Sequence, residues 1–537
     1  MRRAMLAVWI STTLVVGCGA GGGSPPSTPP AVADFSLSAS PGSLTVVQGE
    51  TSLAASISVT ALNGFSAPVS VSISGLPAGS TTSPTFPLSM SAGAPQQFTV
   101  TVPAAAAIGD TKILLHGVSG SQAHDAAAIT LTTTARVVTS QSNGLLYLQG
   151  SSNGHTARIG LDTKWGGAIV EVSLDGTNFV NAHDTGREVQ PALYDLVAVN
   201  GNQGANGWDP VLGGDKYDHG TPIGSQQVTS TSLYTQAIPL HWNPDAFGGG
   251  ANAPVKSDMS FEQTVTLAPG TALAFKVHLK LTHTGTDYHY VADQEFPAVY
   301  VNSAYTTLAY YGGTSPWTNG ALTSTSVSTT AASVIAPEQW AALTDAKGQG
   351  LAVFVAGSYP SWTSVYFPQS GGSGPLGDAT AYMRPLATFH VGPGAVIEGD
   401  IYLIPGDVAA ARAIIYALHP SAANANLAEA FGTVDVPATN ATLSGAAYGV
   451  AGWAVAGNSI AAVNVYVDGT MIGTATLGSA RPDVAAAYPG IAPVDCGWQY
   501  ALDTTTLSNG THGVAVRFID GTSNEVLLPP VTVTVSN

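Results

Sequence analysis

Apolar and polar residues alternate with period two along most of the chain, and this pattern predicts β-strands. Residues 35–39, 69–73 and 98–102 each place apolar side chains at every second position. Turn sequences such as Asn63-Gly64 separate these short runs. Short strands at regular spacing are typical of two packed sheets, so residues 34–134 are predicted to form a small β-sandwich.

Residues 135–432 continue the strand pattern without the alternation of strands and helices that marks a parallel sheet. A large all-β sandwich is therefore predicted for this central unit. Asp407 can cap a helix that runs to Leu418 and ends before Pro420, and a second helical piece is predicted over residues 423–431. The predicted strands are 145–148, 168–174, 261–267, 273–281, 298–301, 351–355 and 397–404.

Residues 433–537 form a third β-rich unit. Val463, Val465 and Val467 alternate with other residues and lead into Asp468-Gly469, a strong hairpin signal. The whole chain is thus predicted to be all-β, with one large sandwich between two smaller ones.

The first 18 residues have the form of a secretion signal. Arg2 and Arg3 precede the apolar stretch 5–16, and small residues lead to Cys18. This ending resembles the bacterial lipobox, which implies a lipidated Cys18 that anchors the protein to a membrane of the cell envelope, facing the periplasm or the outside. The alternative is an ordinary signal peptide cleaved elsewhere. Residues 19–33 are rich in Gly, Ser and Pro and are predicted to be a flexible linker.

The charge of the chain limits the classes of partner. The net charge is -17, with only 16 Lys and Arg residues, which argues against a nucleic-acid partner and disfavours anionic lipid surfaces. Neutral sugars remain compatible with this charge, whereas a polyanionic sugar would need a local basic pocket. Because charged residues make up only 9% of the chain, any cluster of them calls for an explanation.

The first polar cluster joins Trp165 to His183, Asp184, Arg187 and Gln190. An aromatic ring beside glycines can stack on a sugar ring, and carboxylate, amide and guanidinium groups can bind its hydroxyls. The cluster therefore predicts part of a carbohydrate site. The alternative is a turn held together by an Asp184–Arg187 ion pair, with His183 exposed.

A second cluster contains Trp208, Asp209 and Asp215 in a glycine-rich loop, with the Trp242 loop as the opposite wall. The repeated Gly, Trp and Asp residues could also bind calcium through oxygen atoms, although their spacing matches no EF-hand.

A third cluster contains Gln294 and Glu295 before a predicted strand, with Trp317 further along the chain. A glutamate at this position can have a raised pKa, which suits a general acid or base. The alternative is a Glu295 that is solvated at a strand edge or bonded to backbone.

The histidines offer no recognisable metal motif. His278, His283 and His289 lie on or near predicted strands, and neither an H-E-x-x-H nor an H-x-H pattern is present. Structural histidines are therefore predicted, with no metal and no cofactor. Cys496 is predicted to be a buried, inert thiol.

Three family resemblances follow from these segments. The opening DFSLSASP resembles bacterial Ig-like domains, and the segment containing NVYVDGTMIGTATLG resembles an Ig-like domain found at the C-terminus of bacterial surface proteins; both imply spacer or interaction roles. The opening WGGAIVEVSLDG and the polar loops of the central unit resemble galactose-mutarotase-like β-sandwiches of carbohydrate-active proteins. The last resemblance implies that His and Glu residues perform acid–base chemistry on a sugar.

The leading functional hypothesis is a surface-anchored enzyme that cleaves or modifies a polysaccharide. As a hydrolase it would use Asp184 as nucleophile or base and Glu295 as acid. As a lyase it would use His183, His289 or Tyr194 as base, with Arg187 or Gln294 on the substrate carboxylate. Trp165, Gln190, Trp208, Asp209, Trp242 and Trp317 would bind substrate. The alternatives are a non-catalytic glycan-binding or adhesion lipoprotein and a purely structural surface protein.

Overall fold

The computed structural model describes residues 31–152, 154–195, 207–369, 374, 376–422 and 427–537. The predicted signal segment and Cys18 therefore lie outside the described residues. The described chain is rich in β-structure, and six sheets enclose three main apolar cores. The prediction of an all-β chain with a large sandwich between two smaller ones is confirmed.

The first sandwich packs a four-stranded sheet on a six-stranded one. Its core contains Phe35, Ile57, Phe98 and Leu131, which alternate with polar residues along their strands. The pattern of period two thus places one face of each strand in the core. The strands are β1 (Asp34–Ser40), β2 (Ser43–Val47), β3 (Ala55–Leu62), β4 (Val69–Ser74), β5 (Thr81–Ser83), β6 (Leu88–Met90), β7 (Gln96–Thr101), β8 (Gly109–Ser119), β9 (Gln122–Asp125) and β10 (Ile129–Thr134).

The central unit packs a 13-stranded sheet against a nine-stranded sheet. Residues of both sheets, such as Ile159 and Phe296 of the larger and Phe261 and Leu279 of the smaller, form one large core between them. The strands are β11 (Arg136–Ser142), β12 (Leu145–Ser152), β13 (His155–Asp162), β14 (Ala168–Leu174), β15 (Thr177–Asn178), β16 (Val189–Ala192), β17 (Pro210–Val211), β18 (Ile223–Val228), β19 (Ser232–Ala237), β20 (Leu240–His241), β21 (Met259–Leu267), β22 (Phe275–His283), β23 (His289–Asn302), β24 (Thr307–Tyr310), β25 (Thr323–Ser326), β26 (Ala332–Ile335), β27 (Trp340–Thr344), β28 (Gln349–Val355), β29 (Ser361–Phe367), β30 (Thr380–Pro385), β31 (Ala387–Val391) and β32 (Val396–Asp407).

One helix covers the outer face of the nine-stranded sheet. Helix α1 (Val408–Leu418) begins where Asp407 accepts hydrogen bonds from the backbone amides of Ala409 and Ala410, as the sequence predicts. Its buried residues pack on Trp340 and Phe354. The second predicted helical piece is wrong at its end, because Phe431 begins a strand; residues 423–426 of it lie outside the described residues.

The last sandwich shares its core with the central unit. Tyr359 and Leu386 of the central unit belong to the same apolar cluster as Phe431 and Trp498, and the Tyr359 and Phe431 rings lie 5.6 Å apart. Cys496 is a buried free thiol in this core, as predicted. The elements are β33 (Phe431–Val436), β34 (Thr442–Leu443), β35 (Tyr448–Val455), β36 (Ile460–Val467), β37 (Thr470–Thr474), β38 (Thr476–Ser479), α2 (Pro482–Ala487), β39 (Gly497–Leu502), β40 (Gly510–Asp520), β41 (Glu525–Leu527) and β42 (Val531–Val535).

Short 3-10 turns complete the secondary structure, at Thr163–Trp165, Pro244–Phe247, His419–Ser421 and Thr504–Thr506. Within the described ranges, neither α-helix has the length and apolar character needed to cross a bilayer.

Candidate functional site

The Asp184 and Arg187 side chains form a buried ion pair. The Arg187 guanidinium donates to both carboxylate oxygens of Asp184, with a shortest contact of 2.6 Å, and the Leu376 amide donates to the same carboxylate. Two parallel bonds between planar groups make this a rigid arrangement. The pair therefore holds its own turn, and the 76%-exposed side chain of His183 lies outside it, 3.4 Å from Asp378.

The guanidinium of Arg187 continues into an aromatic patch on the outer face of the 13-stranded sheet. It lies 4.6 Å from the centre of the Tyr300 ring and 5.2 Å from the centre of the Phe367 ring. Tyr300 and Tyr382 lie side by side, with ring centroids 4.7 Å apart and planes tilted by 44°. Because β23 alternates its faces, Tyr300 points outward while Val299 and Val301 enter the core.

Glu295 lies at the edge of this patch and is half-buried. Its carboxylate accepts a hydrogen bond of 2.6 Å from the Tyr382 hydroxyl. Burial raises the pKa of Glu295, and the Tyr382 hydroxyl, the Arg384 charge, the Tyr194 hydroxyl and the Arg187 charge oppose the rise. The net result is a carboxyl group whose pKa lies above that of an exposed glutamate.

The glutamine side chains predicted to bind substrate hold backbone instead. Gln294 is fully buried, accepts from the Tyr194 amide and donates to the Tyr194 carbonyl. Gln190 bridges the Gly186 carbonyl and the Gly213 amide. Each amide group thereby fixes a loop near the patch.

The Trp165 ring packs against the turn that contains Asp184. Its ring packs against Gly186 and Gly220, where a Cβ atom would meet it at 3.6 Å and 3.2 Å. Gly166 and Gly167 both have positive φ and bring the backbone close to Leu212 and Gln263. The half-buried indole is therefore part of the loop scaffold.

Glu188, beside the ion pair, is completely buried. Among the described residues neither of its carboxylate oxygens has a hydrogen-bond partner. Burial raises the pKa of Glu188 to about 8; the backbone amides of Glu188 and Gly186 act against this rise, and the carboxylates of Asp184 and Asp162 act with it.

The aspartates of the second predicted cluster also hold loops. Asp209 is buried; its Oδ1 lies 3.1 Å from His241 Nδ1, and its Oδ2 accepts from the Asn243 amide at 3.0 Å. Asp215 accepts from the Tyr217 and His219 amides and contacts the His219 ring at 2.8 Å. Their oxygens are occupied within the loops, which gives the weak calcium alternative no support.

The Trp242 backbone joins these two loops. Its amide donates to the Asp209 carbonyl, and its carbonyl accepts from the Lys216 amide.

Trp208 lines a cavity of about 500 Å³. Its indole stacks on the His289 ring, with centroids 4.0 Å apart, and its Nε1 donates to Asp258 Oδ1 at 2.6 Å. Phe247 and Lys256 line another part of the same cavity. The cavity thus combines an aromatic wall with carboxylates and a lysine.

Three residues that line this cavity, Asp258, Asp287 and His289, are arranged with the buried His283 so that the four side chains could hold a metal ion. One ligand atom from each of Asp258, His283, Asp287 and His289 lies within 4.8 Å of the others. Burial tends to lower the pKa of His289, but the carboxylates of Asp195, Asp258 and Asp287 outweigh it and raise that pKa to about 9. The sequence favoured separate structural histidines, whereas the fold brings both to one carboxylate cluster.

Trp317 belongs to a different surface. It stacks on His419, with ring centroids 3.6 Å apart, and its amide donates to Glu338 Oε1. Glu338 is fully buried and also bonds Arg412 and Tyr416 of α1. These contacts lie on the outer face of the nine-stranded sheet, so Trp317 is separate from the Glu295 patch.

The structure thus brings Glu295, Arg187 and Asp184 into one network. It places Trp208 and His289 in a neighbouring cavity, and Trp317 elsewhere. Reasoning from the sequence missed Tyr382, Tyr300, Arg384 and Asp258, which join these groups. Strand pairing would have found three of them, because Tyr300 faces Tyr382 in the β23–β30 register and Asp258 precedes Met259, which faces His283.

No family model and no curated protein sequence matches the chain. Among solved structures, a polysaccharide lyase is 10% identical over 72% of this chain and 47% of that chain, with a TM-score of 0.28. The endo-β-1,4-mannanase from Thermotoga petrophila is 13% identical over 23% of each chain, with a TM-score of 0.16. Fibronectin(III)-like modules from Clostridium thermocellum are 11% identical over 20% of this chain and 94% of that chain, with a TM-score of 0.14.

The chain therefore spans less than half the length of the lyase and about a quarter of the mannanase. Scores this low define no shared fold, and the architecture rests on the strands and sheets described above.

Proposed function

We propose that the protein is a carbohydrate-active enzyme of the bacterial cell envelope that cleaves a polysaccharide at the Glu295 patch. The observation that carries this proposal is the environment of Glu295. A half-buried carboxyl group with a raised pKa is bonded to Tyr382 and lies in the field of two arginines. Such a group can deliver a proton to a departing glycosidic oxygen or receive one from a reacting carbon.

The surroundings of Glu295 suit a sugar chain. Phe367 offers partly exposed aromatic surface on the outside of the sheet, on which a sugar ring can stack, and the buried Tyr300 and Tyr382 rings lie beside it. Arg384 adds positive charge beside Glu295 in a chain that is otherwise acidic, whereas the charge of Arg187 is balanced by Asp184. This local charge would favour a glycan that carries carboxylate groups, and elimination of a uronic acid and hydrolysis are both chemically compatible with it.

Asp184 does not serve as the second carboxylate of a hydrolase in this proposal. Its two oxygens are bound to Arg187 and to the Leu376 amide. Asp184 instead positions Arg187, and the attacking group would be water, because burial raises the pKa of Tyr300 and Tyr382 and makes their hydroxyls harder to ionise. This division of roles replaces the paired carboxylates that the sequence suggested.

A panel of polysaccharides tests the proposal. The wild-type chain should release either new reducing ends or unsaturated uronates that absorb in the ultraviolet, and these two readouts separate hydrolysis from elimination. Glu295→Gln should lower turnover by about 100-fold or more while glycan binding persists. Glu398→Gln, which removes an exposed carboxylate on β32, is the matched control. Unchanged turnover in Glu295→Gln would remove Glu295 from the site.

A second function is favoured by the number of polar groups that hold loops. Asp184, Gln190, Gln294 and Asp209 all direct their polar atoms to neighbouring protein groups. A rigid surface of this kind also suits a glycan-binding or adhesion protein without catalysis. Retention on a polysaccharide column without any product from the same polysaccharide would support this second function.

A further inference from the structure

The geometry points to a structural Zn²⁺-class metal site formed by Asp258, His283, Asp287 and His289. The site is separate from the Glu295 patch, and the inference does not depend on the proposed activity. It rests on the distances between ligand atoms, on the groups that orient each ligand and on one buried nitrogen without a partner.

The distances between ligand atoms fit a tetrahedron. Zinc bound by nitrogen and oxygen at about 2.0–2.1 Å requires ligand atoms about 3.3 Å apart. Asp258 Oδ2 lies 3.1 Å from His283 Nε2 and 3.9 Å from His289 Nε2. The two oxygens of Asp287 each lie 3.5 Å from one of the two Nε2 atoms. Small side-chain rotations would place all four ligands around one ion.

Both histidines are held so that Nε2 faces the centre of the cluster. His283 Nδ1 lies 2.8 Å from the Gly392 carbonyl, and His289 Nδ1 lies 3.1 Å from Asp195 Oδ2. Because a carbonyl and a carboxylate can only accept, each Nδ1 is the protonated nitrogen. Without a metal, His283 Nε2 also lies 3.1 Å from a carboxylate oxygen, Asp258 Oδ2. A bound metal would displace the proton from each Nε2 and use the lone pair that this leaves. Histidine ligands of zinc are commonly oriented by such bonds on the second nitrogen.

Asp258 is oriented in the same way. Its Oδ1 accepts from the Trp208 indole, which leaves Oδ2 directed at the two histidines. The Trp208 ring also stacks on His289 and fixes the plane of that imidazole. Three of the four ligands thus have a second partner that sets their direction, which a surface ion pair does not require.

The buried nitrogen of His289 provides independent support. His289 is only 6% exposed, yet its Nε2 has no hydrogen-bond partner among the described residues. A buried polar atom without a partner is costly. A metal ion at the centre of the cluster would satisfy this nitrogen and balance the two carboxylates.

The ligand set selects the class of ion. Two imidazole nitrogens favour Zn²⁺ and related transition metals over Ca²⁺ and Mg²⁺, which prefer oxygen. Four protein ligands fill a tetrahedron, as in structural zinc sites. The ion would tie the starts of β21 and β23 and the end of β22 to the Trp208 wall of the cavity.

The test uses the full chain, purified in detergent without a histidine tag and stripped with a chelator. On addition of Zn²⁺ alone, elemental analysis should find one equivalent per chain, and thermal unfolding should shift upward. Co²⁺ in its place should give the visible absorption bands of a tetrahedral site. Addition of Ca²⁺ alone should produce no shift.

Two variants make the result specific. Asp287→Asn removes a ligand whose side chain is 63% exposed, so the fold should survive, and Zn²⁺ affinity should fall by about 10–100-fold. Asp125→Asn removes a carboxylate that is 77% exposed, beside His116 in the first sandwich, and should leave affinity unchanged. The inference would be overturned if Asp287→Asn bound Zn²⁺ as tightly as the wild type, or if Asp125→Asn lost as much affinity as Asp287→Asn. Octahedral Co²⁺ bands or a preference for Ca²⁺ would also overturn it.

Discussion

Glu188 should make the central unit less stable as the pH rises from mildly acidic to mildly basic. Its pKa rises from 4.5 in the unfolded chain to about 8 in the folded protein. The folded state therefore binds an extra proton between these two values, and stability must fall as pH increases through this range. The stabilisation is complete below about pH 4.5 and is lost by about pH 8.

The magnitude follows from the shift. A difference of about 3.5 pKa units corresponds to about 5 kcal/mol over the full range. About 3 kcal/mol of this falls between about pH 5.5 and about pH 8.5, where the rest of the protein can be studied. Glu188→Gln keeps the volume of the side chain and cannot ionise. The free energy of unfolding of the variant, relative to that of the wild type, should therefore rise by about 3 kcal/mol from about pH 5.5 to about pH 8.5.

Urea unfolding followed by tryptophan fluorescence measures this difference. All tryptophans of the described chain lie between Trp165 and Trp498, so the signal reports the central unit and the last sandwich but not the first. Glu398→Gln serves as a control with an exposed carboxylate. The prediction is wrong if the difference in free energy of unfolding between wild type and variant is the same at both pH values, within about 0.5 kcal/mol. Glu188 would then not be a buried acid with a raised pKa.

Two further predictions concern other parts of the chain. Glu338→Gln should lower the free energy of unfolding by about 3 kcal/mol, because Arg412 would keep its buried charge without a counter-ion. Urea unfolding of this variant, with Glu398→Gln as the control, measures the loss. A loss below about 0.5 kcal/mol would contradict the prediction. Cys18→Ala should move the protein from the membrane fraction to the soluble fraction of cells, since acyl chains provide the proposed anchor; a variant that stays with the membranes would refute lipidation at Cys18.

Local patterns predicted the elements of the fold well. The strand β14 has the bounds that the sequence suggested, and α1 begins and ends where Asp407 and Pro420 imply. The sequence also predicted the Asp184–Arg187 ion pair, as the alternative to a carbohydrate site, because residues three apart can pair within one turn. These features depend on neighbours in sequence.

The candidate sites were harder to predict because they depend on neighbours in space. Glu295 meets Tyr382 across 87 residues, and Asp258 meets His283 across 25. Trp317 was grouped with Glu295 on residue type alone, although helix α1 places it on another face. Alternation along a strand predicts which face a residue occupies, but it does not identify the neighbouring strand.

The apolar contact between the central unit and the last sandwich limits which domains could replace the last sandwich. Phe431 is completely buried against Tyr359, and exposing such a ring costs about 1.5–3 kcal/mol. A foreign sandwich fused at this position would need its own surface complementary to Tyr359 and Leu386. The C-terminal sandwich therefore cannot be replaced by an unrelated domain unless that domain buries the same two residues.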